Sequence, residues 1–324
     1  MIRVAVVGAG VMGSATAWAL RERGADVTVY EQFDEVEHEH GSSHGRTRIF
    51  RLAYPEEEWV RLCQESLDAW QELDGDLLSL HGLIELAPSR DLTSAAALAR
   101  CGAGFSFEPP DERVRVPNGM VALWQPTAGV VYADRARRAF LRGVDVRTGA
   151  RIEAVDELHA DAVVLTVGAW IRRFLPDLET RVTRETVAYF RHDGPPLPSV
   201  VELNAQRGHA MYALHDPVHG LKAGVHFGGV EVDPDDPGEP DAVLLERVVA
   251  WVAERFPEAE RVPVAAQTCL YTSTPDQSFV LERRGRVVVG SACSGHGFKF
   301  APAVGRRLAD LALEGFGDRR LRHT

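Results

Sequence analysis

Near the start of the chain stand Ile2-Arg3-Val4-Ala5-Val6-Val7-Gly8-Ala9-Gly10-Val11-Met12-Gly13, an apolar run that leads directly into a GxGxxG turn. The apolar run predicts a buried strand, and the glycine spacing predicts a sharp turn into a helix. In such a turn Gly8 permits the bend, Gly10 lets backbone N–H groups approach a pyrophosphate, and Gly13 lets the helix pack closely on the strand. Because the N-terminus of the helix then faces an anion, the stretch predicts a dinucleotide site.

A second predicted strand, Asp26-Val27-Thr28-Val29-Tyr30, is followed by an acidic residue, Glu31. The acid comes about 20 residues after the first glycine, the spacing at which a carboxylate binds the ribose hydroxyls of a dinucleotide. A carboxylate there repels a 2′-phosphate, so the site favours FAD or NAD over NADP. The cofactor contacts predicted from this region are Gly8, Gly10, Val11, Met12, Gly13 and Glu31.

The bulk composition is that of a globular chain with room for two domains. The 324 residues carry a net charge of −11, and 45% of them are hydrophobic. The negative charge disfavours binding to nucleic acid and to anionic membranes, and no apolar run reaches the about 18 residues that a membrane span needs. Cysteines occur without metal-ligand spacing, at Cys63, Cys101, Cys269 and Cys293. We therefore expect a cytoplasmic protein with free thiols and no bound metal.

Segments typical of a nucleotide-binding sheet alternate with strand-rich segments along the chain. The apolar run Ala162-Val163-Val164-Leu165 predicts a return to the first sheet, and Val287-Val288-Val289-Gly290 predicts another. We predict an α/β fold in which a Rossmann-like FAD-binding domain (1–80, 130–175 and 269–324) is interleaved with an α+β substrate domain on a mixed β-sheet (81–129 and 176–268). By fold analogy, such an interrupted sheet is typical of FAD oxidoreductases rather than of NAD dehydrogenases.

Four motifs then carry a resemblance to a known family. They are Gly41-Ser42-Ser43-His44-Gly45-Arg46-Thr47-Arg48-Ile49-Phe50-Arg51-Leu52-Ala53-Tyr54, Gly220-Leu221-Lys222-Ala223-Gly224-Val225-His226, Cys269-Leu270-Tyr271-Thr272-Ser273-Thr274-Pro275-Asp276 and Ser294-Gly295-His296-Gly297-Phe298-Lys299-Phe300. Together they resemble the monomeric sarcosine oxidase family, which includes N-methyltryptophan oxidase and belongs to the D-amino-acid oxidase type of FAD-dependent amine oxidoreductases. The resemblance implies a monomeric, two-domain FAD enzyme that oxidises secondary amino acids to imines and reduces O₂ to H₂O₂.

The resemblance also implies roles for single residues. Cys269 would hold the flavin through a thioether, although a free cysteine is more often a small buried hydrophobe. Arg51 and Lys299 would bind the substrate carboxylate, because a guanidinium grips two oxygens and an ammonium adds a point charge. As an alternative, both could be solvated surface charges. Lys222 would stabilise the negative charge that develops on oxygen, although a strand residue could equally face outward.

The other predicted site residues belong to the same motifs or lie near them. His44 and Arg48 would line the flavin, and His226 would lie beside the substrate amine, so that these three and Lys222 form the predicted catalytic set. Tyr212 and Tyr271 would form a wall of the substrate pocket. Further flavin contacts are expected from Ser42, Ser43, Thr47, Arg48, Gly295, His296, Gly297, Phe298 and Lys299.

Some alternatives stay open at this point. The loop Glu37-His38-Glu39-His40 contains metal-ligating residue types, but it has no second cluster at recognisable spacing and predicts no metal site. The enzyme could pass electrons to a quinone or carrier instead of O₂, or the chain could be an NAD-binding Rossmann regulator without turnover. Among substrates, sarcosine, a bulkier N-methyl amino acid and a cyclic imino acid all remain open.

Overall fold

The computed structural model describes residues 1–73, 76–90, 92–108, 112–203, 209–291 and 294–314. Its strands are β1 (Arg3–Val7), β2 (Asp26–Tyr30), β3 (Thr47–Phe50), β4 (Leu78–Ser79), β5 (Leu83–Ala87), β6 (Val121–Gln125), β7 (Gly129–Tyr132), β8 (Asp145–Arg147), β9 (Ala162–Leu165), β10 (Arg181–Arg191), β11 (Ser199–Glu202), β12 (Ala210–Asp216), β13 (Gly220–His226), β14 (Val230–Glu231), β15 (Ala265–Ser273), β16 (Val280–Arg284) and β17 (Val287–Ser291). Its helices are α1 (Val11–Glu22), α2 (Glu57–Glu72), α3 (Thr93–Arg100), α4 (Ala133–Phe140), α5 (Ile171–Phe174), α6 (Ala242–Arg255) and α7 (Ala301–Leu313). Within the described ranges, every helix is too short or too polar to span a bilayer.

The chain folds as two compact units, each assembled from separate segments. Unit 1 consists of Met1–Gly45, Ala133–Val182 and Tyr271–Thr324, and unit 2 consists of Arg46–Tyr132 and Thr183–Leu270. Both units contain sheets and helices, with a largely parallel sheet in unit 1 and a mixed sheet in unit 2. The predicted α/β fold class is confirmed.

Unit 1 is built around a six-stranded sheet of order β16-β17-β9-β1-β2-β8. Strand β1 lies between β2 and β9 and is parallel to both. Helices α1 and α7 approach so closely that a Cβ on Gly305 would lie 2.6 Å from the carbonyl carbon of Ala15. Because only three residues separate β1 from α1, the N-terminus of α1 lies at the carboxyl end of β1, the edge at which open α/β sheets bind their ligands.

Unit 2 is built on an eight-stranded sheet whose path runs β14-β10-β13-β12-β11-β5-β6, with β15 paired to β10. Helix α6 covers one face of this sheet. Its Leu244, Val248 and Trp251 share a core with Ala213 and Ala223 of the two central strands. Burial of these apolar side chains, at roughly 25 cal/mol per Å², makes this face the main core of unit 2.

The opposite face of the sheet in unit 2 carries polar side chains. Lys222 pairs with Tyr189 on β10 and with Leu214 on β12, while Tyr212 pairs with Gly224, two residues beyond Lys222. Paired residues share a face, and so do residues two apart, so Tyr189, Tyr212 and Lys222 all lie on the face away from α6. A three-stranded sheet, β3-β7-β4, packs on part of this polar face.

The first boundary between the units lies at Gly45, whereas the sequence prediction places residues 1–80 together in the nucleotide-binding domain. Strand β3 pairs with β7, and Gln125 Oε1 accepts hydrogen bonds from the backbone N–H groups of Leu52 (2.9 Å) and Ala53 (3.3 Å). These long-range bonds attach the segment after Gly45 to unit 2, and local periodicity cannot reveal them.

Cys293 lies outside the described residues.

A buried ion pair fastens α6 to the sheet of unit 2. Glu202, the last residue of β11, accepts hydrogen bonds from Trp251 Nε1 (2.7 Å), Arg255 Nε (2.7 Å) and Arg255 Nη2 (3.3 Å). The Glu202 side chain is fully buried, and that of Arg255 is 10% exposed. The carboxylate therefore accepts the hydrogen bonds of two buried side chains of α6.

Candidate active site

The glycine turn of unit 1 has the geometry that its sequence predicts. Gly8 has a φ of +97°, in the region that glycine tolerates. A Cβ on Gly13 would overlap the carbonyl oxygen of Gly8 and would lie 2.6 Å from Thr166 Oγ1. The Thr166 hydroxyl in turn donates to the carbonyl oxygens of Val7 (3.0 Å) and Gly8 (3.1 Å). Only glycine at position 13 allows α1 to begin this close to β1.

Glu31 is buried at the end of β2, beside the glycine turn. Its Oε2 accepts the backbone N–H of Ala9 (2.9 Å), its Oε1 accepts that of Phe33 (3.2 Å), and His38 Nε2 lies 3.7 Å from Oε1. Burial raises the pKa of the Glu31 carboxyl, but the hydrogen bonds from His38, Ala9 and Phe33 outweigh it and lower that pKa below its usual value. Glu31 is therefore an ionised hydrogen-bond acceptor, and it lies where the sequence predicts a carboxylate that binds the ribose hydroxyls.

The predicted serine loop returns to the same turn. Ser43 Oγ accepts the backbone N–H of Val11 at 3.0 Å, so its hydroxyl oxygen lies at the N-terminus of α1. A Cβ on Gly10 would lie 3.3 Å from the same oxygen. Met12 is buried in the first turn of α1, and Ser42 is half-buried. Unit 1 thus brings the glycine turn, Ser43 and Glu31 together.

A second cluster of unit 1 contains most of the C-terminal motif. Gly295 has a φ of +71°, and a Cβ there would overlap the ring of Tyr271. The Lys299 ammonium is buried and donates to the carbonyl oxygen of His296 at 2.7 Å. Gly297 precedes the short helical turn Phe298–Phe300, which leads into α7. Tyr271, Gly295, His296 and Lys299 are therefore neighbours within unit 1.

Lys222 lies on the polar face of the sheet in unit 2 and is 6% exposed. Its Nζ lies 5.6 Å from the centroid of the Tyr189 ring. Burial, and after it the Arg48 guanidinium, lowers the pKa of Lys222 from 10.5 to about 7, while Cys269 and Asp216 oppose this shift. A shielded ammonium that titrates near neutrality is typical of a functional lysine.

Cys269 and Tyr212 belong to the same electrostatic neighbourhood of unit 2. The pKa of the Tyr212 phenol is raised, mainly by burial. Cys269 raises this pKa further, whereas Arg48 lowers it. A Cβ on Gly224 would lie 2.6 Å from the Tyr212 hydroxyl, so glycine makes room for this phenol. The electrostatic effects thus place Arg48, Tyr212, Lys222 and Cys269 near one another within unit 2.

Thr47 begins β3 and Arg51 directly follows its last residue. Arg51 Nη1 donates to the carbonyl oxygen of Ala53 at 2.5 Å, and its Cζ lies 4.5 Å from the centroid of the Tyr54 ring. Thr47 is buried, and its carbonyl oxygen accepts a hydrogen bond from Arg48 Nη1 at 2.9 Å. The segment therefore presents two guanidinium groups within four residues.

The two histidines of the predicted catalytic set lie in different surroundings. His44 is buried near the end of the first segment of unit 1. His226 ends β13 and is half-buried, with its ring centroid 4.2 Å from that of Phe227. By strand alternation it shares the polar face with Lys222.

The histidine loop near Glu31 is packed by rings. Phe33 stacks on His40 with centroids 4.2 Å apart and contacts His38 at 4.4 Å. Within the described part of the chain, no group of three or more His, Cys, Asp or Glu side chains is arranged to hold a metal ion.

Comparison with known proteins assigns the family. The profile of the family described as "FAD dependent oxidoreductase" matches residues 3–311. The chain belongs to this family. A probable sarcosine oxidase of Arabidopsis thaliana is 30% identical, over 96% of this chain and 88% of that protein. A peroxisomal sarcosine oxidase of Mus musculus is also 30% identical, over 95% and 91%.

A solved structure adds to this similarity. NikD, described as an unusual amino acid oxidase essential for nikkomycin biosynthesis, matches in its open form with a TM-score of 0.81 and 25% identity, over 97% of this chain and 95% of that one. The alignment with the Arabidopsis protein spans 370 residues, more than this FAD dependent oxidoreductase contains, so that relative has segments that this chain lacks. The resemblance to the sarcosine oxidase family is confirmed.

The residues of this FAD dependent oxidoreductase fit the cofactor that its family uses. In unit 1, the glycine turn and the N-terminus of α1 suit a pyrophosphate, and the ionised Glu31 suits a ribose. In unit 2, Thr47 Oγ1 is buried and has no hydrogen-bond partner among the described residues. Buried hydroxyls are normally satisfied, so this atom is suited to a bound polar group.

Sequence reasoning missed several residues of the polar face in unit 2. Tyr189 contacts Lys222, and its hydroxyl donates to Gln267 Oε1 at 2.9 Å, while burial raises its pKa to about 12. Glu85 lies within the otherwise apolar strand β5 and is buried. Only Glu85 gave a signal in the sequence, because a charged residue inside a short apolar run needs a buried partner.

Proposed function

We propose that this chain is an FAD-dependent oxidase of secondary amino acids, which oxidises a C–N bond to an imine and reduces O₂ to H₂O₂. The names of the sarcosine oxidase relatives support this assignment. The observation that carries it is the buried Lys222 on the polar face of unit 2, whose pKa is lowered to about 7. A titratable cation in that position is suited to stabilising negative charge on reacting oxygen.

Substrate binding is assigned to two cations and two phenols of the family motifs or near them. Arg51 and Lys299 are proposed to bind the substrate carboxylate, and Tyr212 and Tyr271 to contact the rest of the substrate. Arg51 is a suitable carboxylate ligand because its guanidinium can bind both oxygens at once. His226 shares the face of Lys222 and is proposed to lie beside the amine.

Bound FAD would supply the redox chemistry, as the acceptor of a hydride equivalent from the substrate carbon and the source of electrons for O₂. The chain binds and orients the reactants and supplies charge. The glycine turn, Ser42, Ser43 and Glu31 are proposed to hold the nucleotide part, and Thr47, Arg48, His44 and residues 295–299 the flavin part. Lys222 is proposed to hold a proton, and thus a positive charge, at its Nζ.

Oxidase activity is tested with the purified yellow protein and a peroxide-coupled assay. We expect H₂O₂ from at least one N-methyl or cyclic amino acid, and none from the matching amine without a carboxylate. Substrate-dependent bleaching of the flavin with little peroxide, but rapid reduction of a quinone dye, would favour a dehydrogenase. A colourless protein that binds NAD would overturn the assignment.

We also propose that Cys269 attaches the flavin covalently through a thioether. After denaturation in acid, we expect flavin absorbance to stay with the wild-type polypeptide and to be released from a Cys269→Ser variant. Cys101→Ser is a matched control, because Cys101 is a half-buried thiol whose Sγ contacts the carbonyl oxygen of Glu57 at 3.8 Å. Release of flavin from the wild type would remove the proposed linkage and leave the oxidase assignment intact.

Three finer properties stay predictions of the same proposal. The enzyme is expected to be a monomer, to reside in the cytoplasm and to use a small amino acid as substrate. Sedimentation of the purified protein tests the first of these, and localisation of a tagged chain tests the second.

A further inference from the structure

Glu85 is a buried carboxylate on the polar face of the sheet in unit 2. It pairs with Val201, which in turn pairs with Tyr212, so these three side chains lie on one face. The Glu85 side chain is 1% exposed. Its Oε1 accepts a hydrogen bond from Ser94 Oγ at 2.7 Å, and its Oε2 lies 3.5 Å from Arg51 Nη1. The carboxylate thus contacts the cation proposed to bind substrate.

A carboxylate this deeply buried requires a positive partner, because desolvation without compensation is costly. Ser94 supplies a neutral hydrogen bond, and Arg51 supplies the charge. Arg51 is only 20% exposed, so its attraction to Glu85 is weakly screened by solvent. The pair has no net charge, which lowers the positive potential that Arg51 offers to an anionic ligand.

The contacts of Arg51 also determine which edge of its guanidinium is used. The bond to the carbonyl oxygen of Ala53 and the contact with Glu85 both involve Nη1. The Arg51 Cζ lies 4.5 Å from the centroid of the Tyr54 ring, and the Arg51 side chain also hydrogen-bonds the Tyr54 side chain. Neither the bond to Ala53 nor the contact with Glu85 uses Nε or Nη2, and the edge formed by these two atoms can bind a carboxylate with two parallel hydrogen bonds.

Gln125 fixes the backbone of the same segment. It lies on β6 and pairs with Leu83, two residues before Glu85, so it shares the face of Glu85. Its Oε1 accepts the backbone N–H groups of Leu52 and Ala53, the two residues after Arg51. Neighbouring strands therefore hold both the backbone and the side chain of the Arg51 segment.

We propose that Glu85 is a positioning residue for Arg51, which directs the Nε–Nη2 edge toward the substrate carboxylate and weakens carboxylate binding by offsetting the charge of Arg51. This role presupposes the carboxylate-binding role proposed for Arg51. Sequence motifs of the site do not include Glu85, which lies in a strand between them. It acts through Arg51 and needs no contact with substrate.

The test compares two Glu85 variants of the holoenzyme with propanoate and its neutral analogue propanamide as probes. Glu85→Gln keeps an oxygen that can accept from Nη1 and removes the charge. We expect its Kd for propanoate, measured from the visible absorbance of the bound flavin, to fall about tenfold, and its affinity for propanamide to stay unchanged. Glu85→Met removes the acceptor as well, so kcat on the best substrate should fall about tenfold, whereas Glu85→Gln should keep kcat within about twofold.

Glu57→Gln is the matched control for the loss of one carboxylate from unit 2. Glu57 forms surface ion pairs with Arg61 and Arg100, and its removal should leave the Kd for propanoate unchanged. An unchanged Kd for propanoate in Glu85→Gln, or an equal change for propanamide, would overturn the role of Glu85.

Arg51→Gln separates the two proposals: if it binds propanoate as the wild type does, the role of Arg51 fails. If Arg51→Gln loses binding while Glu85→Gln matches the wild type, only the role of Glu85 fails.

Discussion

In a Lys222→Met variant, the reduced enzyme should react with O₂ about a hundredfold to a thousandfold more slowly than the wild type. Lys222 is buried on the polar face of unit 2, where its charge is weakly screened. A fixed positive charge in such a site stabilises the negative charge that forms as an electron reaches O₂. Methionine keeps the length and apolar character of the side chain and removes the charge. Rapid mixing of reduced enzyme with O₂, followed by visible absorbance, measures the rate constant.

The same charge should make this rate depend on pH. Burial, followed by the effect of Arg48, lowers the pKa of Lys222 to about 7, so its protonated fraction falls as pH rises through that value. The rate constant should fall with it. A negative charge on the bound cofactor would raise this pKa, so we expect the midpoint at or above about 7. Lys222→Arg stays charged at every pH in this range, and should therefore lose the pH dependence and react faster with O₂ than Lys222→Met.

The composition of the chain makes the pKa of Lys222 directly measurable. Among 36 basic residues only two are lysines, Lys222 and Lys299. Selective ¹³C labelling of lysine side chains should give two NMR signals, and the Lys222→Met variant assigns them. A signal of Lys222 that titrates like a free lysine, or wild-type reoxidation in Lys222→Met, would contradict the role proposed for this residue.

The nucleotide turn could be predicted because its requirements are local in sequence. Gly8, Gly10 and Gly13 are fixed by one bend between a strand and a helix, and Glu31 follows at the end of the neighbouring strand. Each requirement is a property of a few consecutive residues. The structure adds the bond from the backbone of Ala9 to Glu31, which joins the turn to the acid and which spacing alone does not indicate.

The polar face of unit 2 could be predicted only in part, because strand register creates it. Tyr189 lies against Lys222 through the pairing of β10 with β13, and no motif contains it. Glu85 and Gln125 reach the Arg51 segment from two strands that are distant in sequence. The other 34 of the 36 Lys and Arg residues are arginines, so the two lysines were a signal in the composition that the sequence motifs did not include. Arginine cannot lose its proton near neutral pH, whereas a buried lysine can.

The second large effect is expected in the core of unit 2, where a Glu202→Met variant should lose about 3–5 kcal/mol of unfolding free energy. Glu202 is the carboxylate partner of Arg255 and also accepts from Trp251 Nε1. Methionine has a similar volume, so the loss comes from a buried charge and a buried donor that are left without their acceptor. Urea unfolding followed by far-UV circular dichroism measures the difference.

Two further variants identify the cause of that loss. In the double variant Glu202→Met with Arg255→Met both charges are gone, so we expect it to recover a large part of the lost free energy. Glu260→Gln is the control, because its partner Arg191 lies 3.9 Å away and both side chains are more than half exposed; we expect a loss of at most about 1 kcal/mol. A Glu202→Met variant as stable as the control would show that the ion pair does not hold α6 on the sheet. If the double variant were as unstable as Glu202→Met, the unsatisfied Trp251 N–H would be the cause instead of the uncompensated charge of Arg255.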